Sequence, residues 1–235
     1  MSEWFGKKKA EPEISAGGSV IHRYSAADWS QTKVGFTKDM AKFGEARDEV
    51  YQRRFGEAKQ VFHEMPPLIP HIDVMEYYRE SKDGLVCTLV TSGMSDLAMN
   101  VPKNTEAPRR VELIFYCREP KREYAESMRL LAHFSHDQKT WIGAFHTIPN
   151  GNPPAPMWGS SFLDTFFFLP PLVKKDQDLQ NELILDGDGV EFLWVVPLTT
   201  AECNLKLAKG SDAILDLFQK NRHPHVFDPD RKSYV

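Results

Sequence analysis

Ser92, Ser95, Asp96 and His146 are the residues whose types could support covalent chemistry: hydroxyl nucleophiles, a carboxylate and a base. A serine nucleophile at neutral pH needs an adjacent base, and that base needs an orienting partner. The sharp turn that presents such a serine is Gly-x-Ser-x-Gly, because both glycines relieve crowding. Here Gly93-Met94-Ser95 is followed by Asp96 and Leu97, so the second glycine is missing. Ser and Asp in a turn more often bond the local backbone, and Thr91–Asp96 is read that way. A hydrolase using Ser95, Asp96 and His146, with Asp73 as a further polar group, is kept as an alternative. It requires these side chains to converge in one cleft.

Metal and nucleotide motifs are incomplete. His133 and His136 are three apart on a helical stretch, so they can share a face, but sequence supplies no third ligand. His223-Pro224-His225 reads as a surface loop. Asp186-Gly187-Asp188-Gly189 resembles the start of a calcium loop, yet the position that should carry a bidentate Glu is Pro197. It is read as a hairpin turn. Gly187-x-Gly189 fails as a dinucleotide loop because Phe192 stands at the third glycine position. There is no Walker-type Gly-Lys-Ser/Thr. Lys7–Lys9 and Arg109-Arg110 are short basic clusters, read as solvated faces. No catalytic residue, cofactor or metal ligand is therefore expected.

Trp158, Phe162 and Phe166–Phe168 pose a different question. Three consecutive Phe on a strand cannot all face one way, since side chains alternate. Either both faces are covered, or some rings are left for a partner.

The elements that would carry these residues follow from periodicity. Residues 1–36 are rich in Gly, Ser, Lys and Glu and read as a flexible arm. A helix is expected from Asp39 to Met65, with Met40, Phe43, Val50, Tyr51, Phe55, Ala58, Phe62 and Met65 on one stripe. Asp39 or Thr37 could cap it, and Pro66-Pro67 would end it. His71–Glu80 and Leu85–Thr91 read as a hairpin across Ser81-Lys82-Asp83-Gly84. Residues 92–108 read as an irregular loop, Arg110–Cys117 as a third strand and 121–139 as a second helix. Residues 146–160 hold Asn150-Gly151-Asn152 and three prolines, which signals a long loop. Phe162–Leu169 reads as a strand, and Leu183–Leu185 with Val190–Pro197 as another hairpin. Helical stretches follow at Thr200–Ala208 and Ser211–Asn221, then a polar tail at Asp228–Val235. Hairpins interleaved with helices predict an α+β fold: a mixed, largely antiparallel sheet flanked by helices.

The chain has 235 residues, room for one large domain, here expected over 37–235. It needs no disulfide or metal to supplement its core. Its net charge of -4 lacks the basic excess of a nucleic-acid binder. Cys87, Cys117 and Cys203 are far apart among apolar neighbours and read as packed thiols in a reducing compartment. No apolar run follows Lys7–Lys9, so no signal peptide is expected. Phe162–Val173 is too short to span a bilayer. The expectation is a cytoplasmic protein that contacts neither membrane nor nucleic acid, as a monomer or weak dimer.

As a whole the chain resembles the suppressor-of-fused domain family in its single-domain bacterial form. The resemblance rests on Thr91-Ser92-Gly93-Met94-Ser95-Asp96, then Arg110-Val111-Glu112-Leu113-Ile114, with His71-Ile72-Asp73-Val74 before them. Downstream it includes Tyr124–Phe134, His146, the run Phe192–Glu202, Leu217-Phe218 and Asp228-Pro229-Asp230-Arg231. It covers about residues 40–235. The resemblance implies a mixed sheet with flanking helices and a protein-binding role without known catalysis. Animal members carry a second domain and clamp a transcription-factor peptide. This chain is expected to end after the first domain, so that clamp does not carry over intact. Bacterial members look like immunity proteins that neutralise toxins. The implied function is an immunity-type binder of a toxin partner, with a peptide-binding regulatory scaffold as the other non-enzymatic reading. Asp73, Thr91, Ser92, Gly93, Ser95, Asp96, His146, Trp158, Asp230 and Arg231 are the candidate structural or partner-binding residues. The 92–108 and 146–160 loops are the candidate surface.

Overall fold

A computed structural model describes residues 13–24, 33–81, 84–160 and 162–235. Its strands are β1 (Glu13–Ile14), β2 (Val20–Ile21), β3 (Gln60–Phe62), β4 (Asp73–Ser81), β5 (Gly84–Ser92), β6 (Arg110–Cys117), β7 (Thr147–Pro149), β8 (Leu163–Leu169), β9 (Ile184–Leu185) and β10 (Asp188–Thr199). Its helices are α1 (Met40–Phe55), α2 (Arg122–Asp137), α3 (Lys174–Gln177), α4 (Thr200–Lys209) and α5 (Ser211–Lys220). The main sheet runs β3-β4-β5-β6-β10-β8-β7, with β9 beside the start of β10. Its pairs are antiparallel except β6 with β10. The expected α+β architecture is therefore present.

Both faces of the sheet are covered, which explains why the central strands do not alternate in polarity. Every residue of β6 and of β8 is buried. One core lies under α2 and takes Leu113, Phe115, Phe166, Phe168, Leu193 and Met128. The other lies under α1 and α5 and takes Tyr51, Ile114, Phe167, Phe192, Trp194 and Ile214. The Phe166–Phe168 run is divided between them, so all three rings are buried and none is left for a partner.

Two segments differ from expectation, and a third gains an anchor. The first helix stops at Phe55, not Met65. Gly56, at φ 88°, gives its N–H to Gln52 O and turns the chain, the left-handed geometry that glycine favours. Residues 60–62 then pair with β4 as an edge strand. The spacing of Ala58, Phe62 and Met65 prolonged the helical stripe only by coincidence, and Met65 is largely exposed. Second, residues 13–24, expected to belong to a flexible arm, form the β1–β2 hairpin and dock on the domain. Gly17 N–H donates to Leu207 O at 2.8 Å, and Tyr24 meets Thr140 Oγ1 at 2.8 Å and the edge of Phe134. A Cβ on Gly17 would lie 2.3 Å from Gly210 N, so only glycine allows this approach. Third, the polar tail is anchored: Arg231 makes paired bonds to Glu202 at 2.6 and 2.8 Å. Lys82 and Asp83 of the expected β4–β5 turn, and the rest of the expected arm up to residue 32, lie outside the described residues.

Candidate functional site

The Thr91–Asp96 turn leaves β5, doubles back over His71 and is gathered around one side chain, Glu112 of β6. Gly93 makes the turn possible. It sits at φ 123°, and a Cβ there would lie 1.9 Å from His71 O. Glu112 is fully buried. Its carboxylate accepts from Thr91 Oγ1 at 2.6 Å, Ser95 Oγ at 2.6 Å, and the N–H groups of Gly93 and Ser95 at 3.0 Å each. Thr91 Oγ1 in turn accepts from Leu113 N–H at 2.7 Å. A carboxylate has about four acceptor positions, and here four donors occupy them.

Two guanidinium groups neutralise the cluster. Arg47 of α1 pairs with Asp96 and donates from Nε to Ser92 Oγ at 3.1 Å. Arg110 opens β6 and donates to Ser95 O at 2.6 Å and Asp96 O at 3.0 Å, while contacting Asp186 and Asp188. The Tyr51 hydroxyl donates to Thr91 O at 2.7 Å. Burial pushes the Glu112 and Asp96 carboxyls above their ordinary range, against the pull of Arg47. Burial also opposes the charge on Arg47, but Glu112 and Asp96 outweigh it and hold its pKa above the usual value. Inside a low-dielectric interior an unpaired charge is costly, so these four ionic side chains depend on one another.

Thr91, Ser92, Gly93, Ser95 and Asp96 are thus brought together. Asp73 lies close by, at the start of β4. It accepts from Glu64 N–H at 2.8 Å and contacts His63 and His71 at 2.9 and 3.2 Å. The other candidates stand elsewhere. His146 leads into β7 and packs on Trp141, ring centroids 4.2 Å apart. Burial and the nearby Lys206 lower its pKa to about 4. Trp158 is buried among Phe115, Tyr124, Phe166 and Phe227, and its indole N–H donates to Ser127 Oγ at 2.9 Å. Arg231 fixes the C-terminal tail, and the exposed Asp230 turns it, its N–H donating to Asp228 Oδ1.

Ser95, Asp96 and His146 form no catalytic relay in this arrangement. Ser95 is fully buried and gives its hydroxyl proton to Glu112, Asp96 is held by Arg47, and His146 packs on Trp141. His133 is engaged by Glu64, and His136 donates from Nε2 to Met94 O at 3.0 Å. No group of His, Cys, Asp and Glu able to hold a metal ion occurs among the described residues.

The turn also fixes the loops beyond it. Asn100 N–H donates to Thr140 O at 3.1 Å, and Ile142 N–H approaches Met99 Sδ at 3.5 Å. Residues 138–146 run directly into β7 and the Asn150–Pro156 loop. The 146–160 loop is held instead on β8, by Asn150 N–H to Asp164 O at 2.7 Å and Met157 N–H to Leu163 O at 2.9 Å.

Glu112, Arg47, Arg110 and Tyr51 were missed as site residues, although two signals were present. Glu112 interrupts the apolar run Val111–Cys117, and Arg47 falls between Phe43 and Tyr51 on the apolar stripe. A charge at a buried position requires a buried partner.

Comparison with known proteins agrees with this architecture. Residues 69–232 match the family model described as Suppressor of fused protein (SUFU). A solved structure of a suppressor of fused homologue from Neisseria gonorrhoeae is similar, with TM-score 0.63 and 17% identity over 83% of this chain and 98% of that one. The structure titled the Sufu-Fu complex matches with TM-score 0.53 and 11% identity, over 83% of this chain and 91% of that one. Among curated proteins none has a significantly similar sequence. Because that family model covers well over half of the chain, the chain belongs to the suppressor of fused family.

Proposed function

We propose that this chain is a non-enzymatic protein-binding domain, acting in the bacterial cytoplasm as an immunity-type protein that neutralises a toxin. The observation that supports the binding role is that both candidate loops are tied to the fold, the 92–108 loop to residues 140–142 and the 146–160 loop to Leu163 and Asp164 of β8. Loops held in advance by backbone bonds to the fold lose less freedom on docking, which favours tight association. The titled complex of another family member supports a protein partner. No helix among the described residues is long and apolar enough to cross a membrane. Strand addition at the outer edges has less support. Both edge strands are three residues long and β7 ends in Pro149, features that blunt an edge.

The test is co-expression with toxins encoded beside this gene. The expected outcome is rescue of growth together with a stoichiometric complex on purification. Replacing Asn100 and Asn152 by Arg should weaken that complex without lowering the melting temperature. Absence of both rescue and complex with every neighbouring toxin overturns the immunity reading.

A further inference from the structure

The main sheet has an interruption beside β10. β8 pairs with β10 as far as Leu169 opposite Trp194. The next residues are Pro170 and Pro171, which carry no N–H and cannot extend the ladder. From the other end, β9 pairs with Asp188 and Gly189, and Val190 N–H donates to Leu183 O at 2.8 Å. Between these contacts, residues 191–193 have no strand on that side. Strand alternation turns the N–H and C=O of Phe192 the same way as those of Val190.

A cavity of about 300 Å³ opens there, lined by Pro170, Pro171, Gln177, Gln180, Glu191 and Phe192 among others. Glu191 is the one charged side chain in the lining. It is half-buried, and its carboxylate makes no ion pair or hydrogen bond among the described residues. Burial alone raises its pKa. Two exposed apolar side chains lie next along the bordering segments, Leu172 after Pro171 and Ile184 paired with Gly189, each 58% exposed.

We infer that this cavity is a socket for one arginine side chain of a protein partner. On the side away from β6 the uncovered stretch 191–193 spans roughly 10 Å, too little for a strand but enough for a single side chain. The volume falls at the low end for ligand pockets. The prolines match the aliphatic stem of an arginine. Glu191, the Gln177 and Gln180 amide oxygens and Phe192 C=O are acceptors for a planar fork of N–H donors. The lining offers no cation of its own, so the charge must come from outside. The exposed Leu172 and Ile184 beside the bordering segments are apolar surface that a partner carrying this arginine would cover. This inference rests on the protein-binding reading and gives it a chemistry.

The test uses N-acetyl-arginine methylamide and its uncharged citrulline analogue as probes, titrated into the full-length protein and followed by amide NMR. The arginine probe should shift the Phe192 N–H and the Gln177 and Gln180 side-chain amides. The citrulline probe should not. Glu191→Gln should keep its melting temperature and lose about tenfold to a hundredfold in affinity for the arginine probe, the range for a charged hydrogen bond. No shift at these amides, or equal shifts with citrulline, overturns the socket. With a toxin complex in hand, Glu191→Gln should weaken it by a similar factor. An unchanged complex removes the socket and leaves the binding role standing. Arginine-probe binding with no toxin complex keeps the socket and removes the immunity role.

Discussion

Glu112 and Glu191 sit on the neighbouring strands β6 and β10, where Glu112 is in register with Phe192 and Glu191 with Val111. The two carboxylates have opposite fates. Glu112 is fully buried, holds four donors and feels the charge of Arg47, which pairs with Asp96 beside it. Glu191 is half-buried and has no partner among the described residues. Burial raises the pKa of both. What separates them is the supply of donors. β5 delivers the Thr91–Asp96 turn over Glu112, whereas Pro170 ends β8 before it can cover Glu191. A charge whose acceptor positions are filled from within specifies the fold, and one left open at a cavity is available to another molecule.

The sharpest way to break this contrast is to remove Glu112. Glu112→Ala removes one of the two carboxylates whose charge compensates Arg47 and leaves the Thr91, Gly93 and Ser95 donors unsatisfied. Breaking a buried pair costs about 3–5 kcal/mol, so a loss of about 4–5 kcal/mol is expected by urea denaturation. A loss below about 1 kcal/mol would mean that the knot is dispensable. Asp96→Ala should rank second, at about 3 kcal/mol, because Arg47 still feels Glu112. The paired replacement Arg47→Met with Asp96→Leu should recover most of that loss, since apolar isosteres can replace a buried ion pair.

A pH series sharpens the comparison from another side. Burial lowers His136, His146 and His223 to about 4, against about 6.5 in an unfolded chain. Between these values the unfolded state binds more protons, so stability falls as pH drops from 6.5 towards 4. The raised carboxyls of Glu112 and Asp96 act in the opposite sense, because the folded state holds their protons at higher pH than the unfolded chain does. The histidines set the sign, so a net loss of stability is expected between pH 7 and pH 5, offset in part by the raised carboxyls of Glu112, Asp96, Asp137 and Glu191. Urea midpoints in His146→Gln with His223→Gln should show a flatter slope. An unchanged slope assigns the pH dependence elsewhere.

The division between legible and hidden features follows the range of the interactions. Local signals were readable: Arg110–Cys117 is a strand with those bounds, and the Asp186-Gly187 turn joins β9 to β10. The first helix was read too long because Ala58, Phe62 and Met65 kept its spacing past Gly56, whose positive φ ends it. The turn residues Thr91, Ser92, Gly93, Ser95 and Asp96 were legible as a group, but their common partner Glu112 was not. It comes from a strand about twenty residues on. The parallel pairing of β6 with β10 joins residues about eighty apart and left no local trace. His146 and Trp158 are legible as a base and an aromatic, but their neighbours Trp141 and Phe227 are not, and the structure packs both where those neighbours decide.

The smallest expected effect is the most discriminating. Replacing a half-buried residue that has no partner should change stability by less than about 0.5 kcal/mol, and Glu191→Gln removes only the charge. Because burial opposes that charge, any change should favour the folded state. Glu112→Gln makes the same chemical substitution one strand away, yet it puts an NH₂ group where Ser95 N–H and Oγ or Thr91 Oγ1 now donate, so it should cost about 2–3 kcal/mol. Thermal melts of the two single variants read the difference directly. If both were neutral, donor supply would not distinguish the two carboxylates. If Glu191→Gln were as damaging as Glu112→Gln, Glu191 would have an internal partner, and its cavity would belong to the core instead of the surface.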